Sequence, residues 1–180
     1  NEIDALIVPM VTGEGVPKGL PKFAEQLIKD AIDRKEFSGK AREMNHFLVP
    51  AAGKKGLRHI FVVGIGKANE IEATDFGEVF GTAIRQAQSK KASSVGFWYR
   101  DILEEQIESV RHLAEIIAEY AQMARYEYSE YLKKKKPQLK QLIVYIENKD
   151  EQKAISQGLK IGSTIGKMVN DSRDLCNRPS

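Results

Sequence analysis

Five short runs of this 180-residue chain look like strands, and several are apolar at consecutive positions, which limits the available folds more than any other feature. They are ALIVPM (5–10), HFLVP (46–50), HIFVVGIG (59–66), SVGFWY (94–99) and QLIVYIE (141–147), each bounded by Gly, Pro, Lys or Asn. A strand with one face in water alternates apolar and polar residues. Consecutive apolar residues predict strands covered on both faces. The second and third runs are joined by AAGKKGLR, short enough for an antiparallel hairpin. The other gaps carry helical patterns, so the expectation is an α/β fold with a mixed, mainly parallel sheet.

Four stretches have helical period. In Leu20–Ile32, the residues Phe23, Ala24, Leu27, Ile28 and Ala31 share a face. In Asp75–Lys91, Phe76, Val79, Phe80, Ala83, Ile84 and Ala87 do the same, with Thr74 as the expected N-cap and Asp75 in the first turn. The third stretch carries Leu103, Ile107, Val110, Ala114, Ile117, Ala121, Ala124 and Tyr128 in one long stripe. The fourth runs from about Glu151 to Cys176, with Leu159, Ile165, Met168 and Val169 expected on its buried face.

That last helix holds Gly158, Gly162 and Gly166 at i, i+4 and i+8. Each glycine costs roughly 1 kcal/mol of helix propensity relative to alanine. Three on one stripe predict that the helix backbone closely approaches the sheet or another helix. A membrane dimer would use the same spacing, but Lys160, Lys167, Asp171 and Arg173 exclude a membrane-spanning helix.

Composition narrows the class further. The chain is 42% apolar and 29% charged, values ordinary for a soluble globular domain. Lys plus Arg numbers 28 against 25 for Asp plus Glu, too small an excess for a nucleic-acid footprint. One cysteine, Cys176, leaves no internal disulfide and fits a reducing cytoplasm. No apolar run approaches the roughly 20 residues that span a bilayer. The chain begins on Asn1, so a trimmed start is expected.

No catalytic set is legible. Gly64 and Gly66 in VVGIGK follow a strand as in a dinucleotide fingerprint, but position 69 is Asn and the next helix starts too late; a strand-ending turn is expected. His46, His59 and His112 are far apart in sequence and lack metal-ligand spacing. Cys176 beside Leu175 reads as a small buried hydrophobe. Glu104, Glu105 and Glu108 read as a solvated helix face. Lys133–Pro137, KKKKP, with Tyr126, Tyr128 and Tyr131 nearby could meet phosphates, but a solvated loop explains it more simply.

Three stretches together carry a resemblance. FVVGIGKANEIEATDFGEVFGTAIRQAQ is similar to the strand, glycine turn and helix of the leucyl aminopeptidases, the cytosol aminopeptidase family of two-metal exopeptidases. YAQMARYEYSEYLKKKKPQLKQLIVY resembles that family's Tyr-rich helix end, lysines and strand, and NDSRDLCNRPS its A-R-D-L-x-N-x-P-S junction. Their order and spacing match the family's amino-terminal domain along nearly the whole chain.

The resemblance implies a three-layer α/β/α sandwich, similar to macro domains, over residues 1–150. Residues 151–180 would be a final helix and a linker, Asn-Arg-Pro-Ser, toward a carboxy-terminal catalytic domain. It implies a cytoplasmic homohexamer at full length that releases amino-terminal residues from peptides. Two divalent metals, zinc or manganese, would sit in that catalytic domain. The family's N-T-D-A-E-G-R signature is absent here, so no catalytic, cofactor-binding or metal residue is assigned within 1–180, and the chain alone is expected to be inactive. The alternative is a free-standing macro-like module binding ADP-ribose or a related nucleotide.

Overall fold

The computed structural model describes residues 3–50, 56–99, 107, 109–127, 139–146 and 148–177. Five strands form one sheet: β1 (Ala5–Val11), β2 (Met44–Leu48), β3 (His59–Gly66), β4 (Ser94–Trp98) and β5 (Gln141–Tyr145), in the order β2-β3-β1-β4-β5. β1 pairs in parallel with β3 and β4, and β4 with β5, while β2 pairs antiparallel with β3. The expected mixed sheet and hairpin are both present. The order itself is not legible in any single run, because it is decided by which helices cover which face.

β1 is buried along its whole length. Its side chains divide between two cores, as the period of two requires. Ala5 and Ile7 point to one side with Phe61, Val63 and Phe97, while Leu6, Val8 and Met10 point to the other with Ile60 and Val62. The β1–β4 ladder covers only Ala5–Ile7, so Pro9, which has no N–H to donate, falls past its end. Where β1 begins, one Asp4 carboxylate oxygen accepts from the Ser93 N–H (2.8 Å), the Ser93 hydroxyl (2.9 Å) and the Ser94 N–H (3.0 Å). Burial raises the Asp4 pKa, but these hydrogen bonds outweigh it and hold the carboxyl below its ordinary value.

One helix covers the second core. α1 (Lys22–Asp33) presents Ala24, Ile28 and Ala31 to the sheet, with Ile28 filling the space between the two alanines. Phe23, expected on this face, is 50% exposed because it stands in the first turn, beside the buried line and not on it. α2 (Ala73–Ser89) and α3 (Val110–Ala124) cover the first core, where Phe76 and Phe80 meet Phe97 edge to face at centroid distances of 6.1 and 5.3 Å. Two helix starts differ from expectation. α2 begins one residue before Thr74, with Glu72 at the N-cap position and no side-chain cap. α3 begins only after Ser109, whose extended backbone lets its hydroxyl accept from the His112 N–H at 3.2 Å. Ile107 is therefore a buried residue ahead of the helix, and Leu103 and Tyr128 lie outside the described residues.

α4 (Gln152–Asn177) is an added outer layer lying along α3. Gly158, Gly162 and Gly166 are buried and face the α3 backbone: a methyl group on them would overlap the carbonyl oxygens of Arg111, Glu115 and Glu119 respectively. Both series ascend by four, so the helices run parallel in fixed register. Ser163 accepts from Gln122 Nε2 (2.9 Å), and Asn170 Nδ2 donates to the Gln122 carbonyl (2.8 Å). The close approach expected of the stripe is present, and its partner is a helix.

Glycine is required here because the opposing atoms are backbone and cannot rotate away. Gly162→Leu is expected to cost about 3 kcal/mol, the upper end for overpacking. An unchanged urea midpoint for that variant would contradict the contact.

Candidate functional site

The carboxyl ends of parallel strands are where open α/β sheets place ligands. In this chain the ends of β1 and β3 are already covered, by a strap formed from residues 38–43. Gly66 donates to the Gly39 carbonyl (3.0 Å), Arg42 to that of Gly64 (3.0 Å), and the Thr12 hydroxyl to Gly39 (2.9 Å). The strap is held by Glu43, whose carboxylate accepts from the Ser38 N–H, the Ser38 hydroxyl and the Lys40 N–H at 2.9–3.1 Å. Burial raises the Glu43 pKa, and hydrogen bonds from Ser38, Lys40 and Gly39 bring it below its ordinary value.

The glycines of VVGIGK serve this contact. The space that a Gly64 side chain would need is filled by the Lys40 carbonyl and by Gly39. Gly66 has φ of +87°, a left-handed conformation that favours glycine. The turn ends its strand, as expected, and packs against the strap. Arg42 extends from the strap to Asp75 (3.3 Å) and Glu78 (3.0 Å) on α2, exposed pairs worth little each.

His46 and His59, far apart in sequence, are brought together by the β2–β3 hairpin. His46 lies opposite Phe61 and stacks on it at 4.6 Å, and His46 Nε2 lies 2.9 Å from His59 Nδ1. Reading the three histidines by sequence spacing alone missed this pair; the hairpin register was the signal that could have found it. Burial lowers both pKa values, followed for His46 by the His59 and Lys90 charges and for His59 by Lys90 and Arg58. The neutral pair can share one N–H···N hydrogen bond; a doubly charged pair repels. His112 stands apart, in the first turn of α3.

Other expected features divide between correction and silence. Cys176 is exposed, not buried, and lies beyond Gly166, the last of the buried residues of α4. Polar contacts hold that end: Asn177 Nδ2 donates to the Tyr126 hydroxyl (2.8 Å), and the Arg173 guanidinium lies 5.5 Å from the Tyr126 ring centre. Tyr126 is thus engaged with α4. Met168, expected on the buried face, is 64% exposed, since the glycines and Ile155 occupy that face. Glu104, Glu105, Glu108, Tyr128, Tyr131, Lys133–Pro137 and Arg178–Ser180 lie outside the described residues. Among the described residues no three His, Cys, Asp or Glu side chains come together to hold a metal ion.

The depressed histidine pKa values fix a sign. Between the folded values and the ordinary imidazole value of about 6.5, the unfolded chain binds more protons, so stability falls as the solution is acidified through that window. The urea midpoint is expected to drop between pH 7.5 and pH 5.5. Replacing both residues, His46→Gln with His59→Gln, should make that drop smaller; an equal drop in the variant would rule the pair out as its source.

Comparison with known proteins places the chain. The amino-terminal domain of the cytosol aminopeptidase family matches residues 9–135. Proteins named probable cytosol aminopeptidase are similar to it: that of Sulfurihydrogenibium is 26% identical over 168 residues, covering 93% of this chain and 32% of the relative. That of Nitrosococcus oceani is 27% identical, covering 89% and 32%. Among solved structures, a tomato leucine aminopeptidase mutant overlays with a TM-score of 0.74 at 20% identity, covering 99% of this chain and 36% of that one. The bottromycin maturation enzyme BotP, solved also in complex with Mn, overlays with a TM-score of 0.64 at 22% identity, covering 98% and 33%. The chain thus spans about a third of the length of the curated relatives it matches. With the family's amino-terminal domain matching residues 9–135, most of the chain, this chain belongs to the cytosol aminopeptidase family, as an amino-terminal domain.

Proposed function

We propose that this chain is the non-catalytic amino-terminal part of a metal-dependent leucyl aminopeptidase, which at full length releases amino-terminal residues from peptides. The observation that carries this reading is the family match over residues 9–135, joined to relatives three times as long that are named as aminopeptidases. Catalytic and metal-binding residues would then all belong to polypeptide outside residues 1–180. The two divalent metals, zinc or manganese, would be held there too; manganese has a precedent in the BotP structure named with Mn. No step is assigned to any residue described above.

The remaining features of the reading have the same source. The relatives' name supports a cytosolic location, and among the described residues no helix is long and apolar enough to cross a membrane. A homohexamer at full length, a macro-like character for residues 1–150, and a helix-plus-linker role for residues 151–180 complete the proposal. A nucleotide-binding module gains no support from the geometry, because the strap of residues 38–43 occupies the glycine turn where phosphate would sit.

The test compares two purified proteins, the product of the full reading frame and the chain of residues 1–180, on leucine p-nitroanilide with added zinc or manganese. The full-length protein is expected to turn over and to lose activity with a chelator, and the shorter chain to show no turnover. Chelator-sensitive turnover that scales with the amount of the shorter chain would refute the non-catalytic assignment. An inactive full-length protein would refute the aminopeptidase assignment.

A further inference from the structure

Among the described residues five large apolar side chains are exposed: Phe23, Leu48, Ile161, Met168 and Leu175. Three of the five are on α4, seven residues apart, with exposures of 37%, 64% and 67%. Seven residues are close to two helical turns, so these three form one line along the helix. Ile165 and Val169, half-buried, widen it toward α3. Single exposed apolar residues are unremarkable, whereas apolar residues aligned in a row are candidates for an interaction surface.

α4 therefore has two faces that avoid water. One is the glycine stripe buried against α3. The other is this outward row, bounded by Lys160, Lys167, Asp171 and Asp174. A helix on the rim of a domain needs one apolar stripe about 100° wide, and the exposed row extends the apolar surface of α4 past the part that α3 covers.

We propose that Ile161, Met168 and Leu175 form the docking surface for the polypeptide that follows residue 180 in the full-length protein, an inference that rests on the reading of this chain as the first third of an aminopeptidase. Three observations choose that occupant. The chain covers about 32% of its relatives, and the part it matches is the family's amino-terminal domain, so the uncovered two thirds follow it. The match ends at residue 135, and β5 and then α4 follow it, so α4 is the last described element before the polypeptide that the relatives add. The row lies in the later part of α4, running to within two residues of its end at Asn177, where the following polypeptide is tethered at high effective concentration. A second copy of the chain is the weaker occupant. A two-stranded seam needs a second apolar row three or four residues away, and Asp171 breaks one candidate row and Ser172 the other.

Met168 reports on the surface directly, because an exposed thioether is oxidised by peroxide and a covered one is protected. The full-length protein is treated with dilute hydrogen peroxide together with N-acetylmethionine amide, and sulfoxide is quantified peptide by peptide by mass spectrometry. Met10, 1% exposed, reports that the fold is intact. Met168 is expected to oxidise at least ten-fold more slowly than the free amide. A rate within ten-fold of it overturns the proposal. So does protection that disappears on dilution to monomers, which would identify a second copy as the cover. Leucine p-nitroanilide turnover, measured on the same preparation, separates the two levels. Protection without turnover supports the surface and refutes the catalytic reading, whereas turnover with an unprotected Met168 does the reverse.

Discussion

Two helix backbones touch in this molecule, and the outer architecture depends on that contact. Gly158, Gly162 and Gly166 meet the carbonyls of Arg111, Glu115 and Glu119 with no side chain between them. The cost is three helix-weakening residues in one helix, roughly 1 kcal/mol each. The return is a fixed parallel register, since any sliding by one residue would drive a side chain into backbone. Gln122 then reads that register twice, through Ser163 and through Asn170. Because glycines occupy the inward face, the long apolar side chains of α4 are left pointing elsewhere. The exposed row and the buried stripe are two consequences of one packing choice.

The same device closes the other end of the fold. Gly64 lacks a side chain because the Lys40 carbonyl stands where it would be, and the strap carrying Lys40 is held by Glu43. A glycine-bearing turn after a strand usually invites comparison with phosphate sites. Here the chain itself fills the space, so the glycines are explained by packing.

Much of the fold was legible in the residues. Each of the five apolar runs overlaps a strand, with β2 starting two residues ahead of its run at Met44, and the parallel bias followed from burial on both faces. The glycine stripe announced a close backbone contact. What escaped had physical reasons. Whether the stripe met the sheet or a helix is a tertiary matter that spacing cannot encode. Met168 was expected to be buried because α4 was assigned one apolar face, when the glycines had already taken that role, and Cys176 because it stands beside Leu175, which is itself exposed. Ser109 ends the apolar period of α3 through its backbone conformation, which the stripe continuing to Ile107 conceals. The His46–His59 contact needed the hairpin register, in which His46 faces Phe61 and Leu48 faces His59. Sequence distance between histidines is uninformative once two strands pair. The family, by contrast, was legible from three short stretches, since their order and spacing are properties of the chain itself.

The central claim is that α4 is an integral layer of this domain, joined to α3 backbone to backbone, and not an arm that awaits the rest of the protein. Native-state hydrogen exchange on residues 1–180 tests it most directly. The account expects amides from Leu159 to Val169 on α4 to exchange with the same opening free energy as those from Leu113 to Ala121 on α3, as one cooperative unit. Exchange of the α4 amides through low-energy openings while α3 remains protected would contradict it.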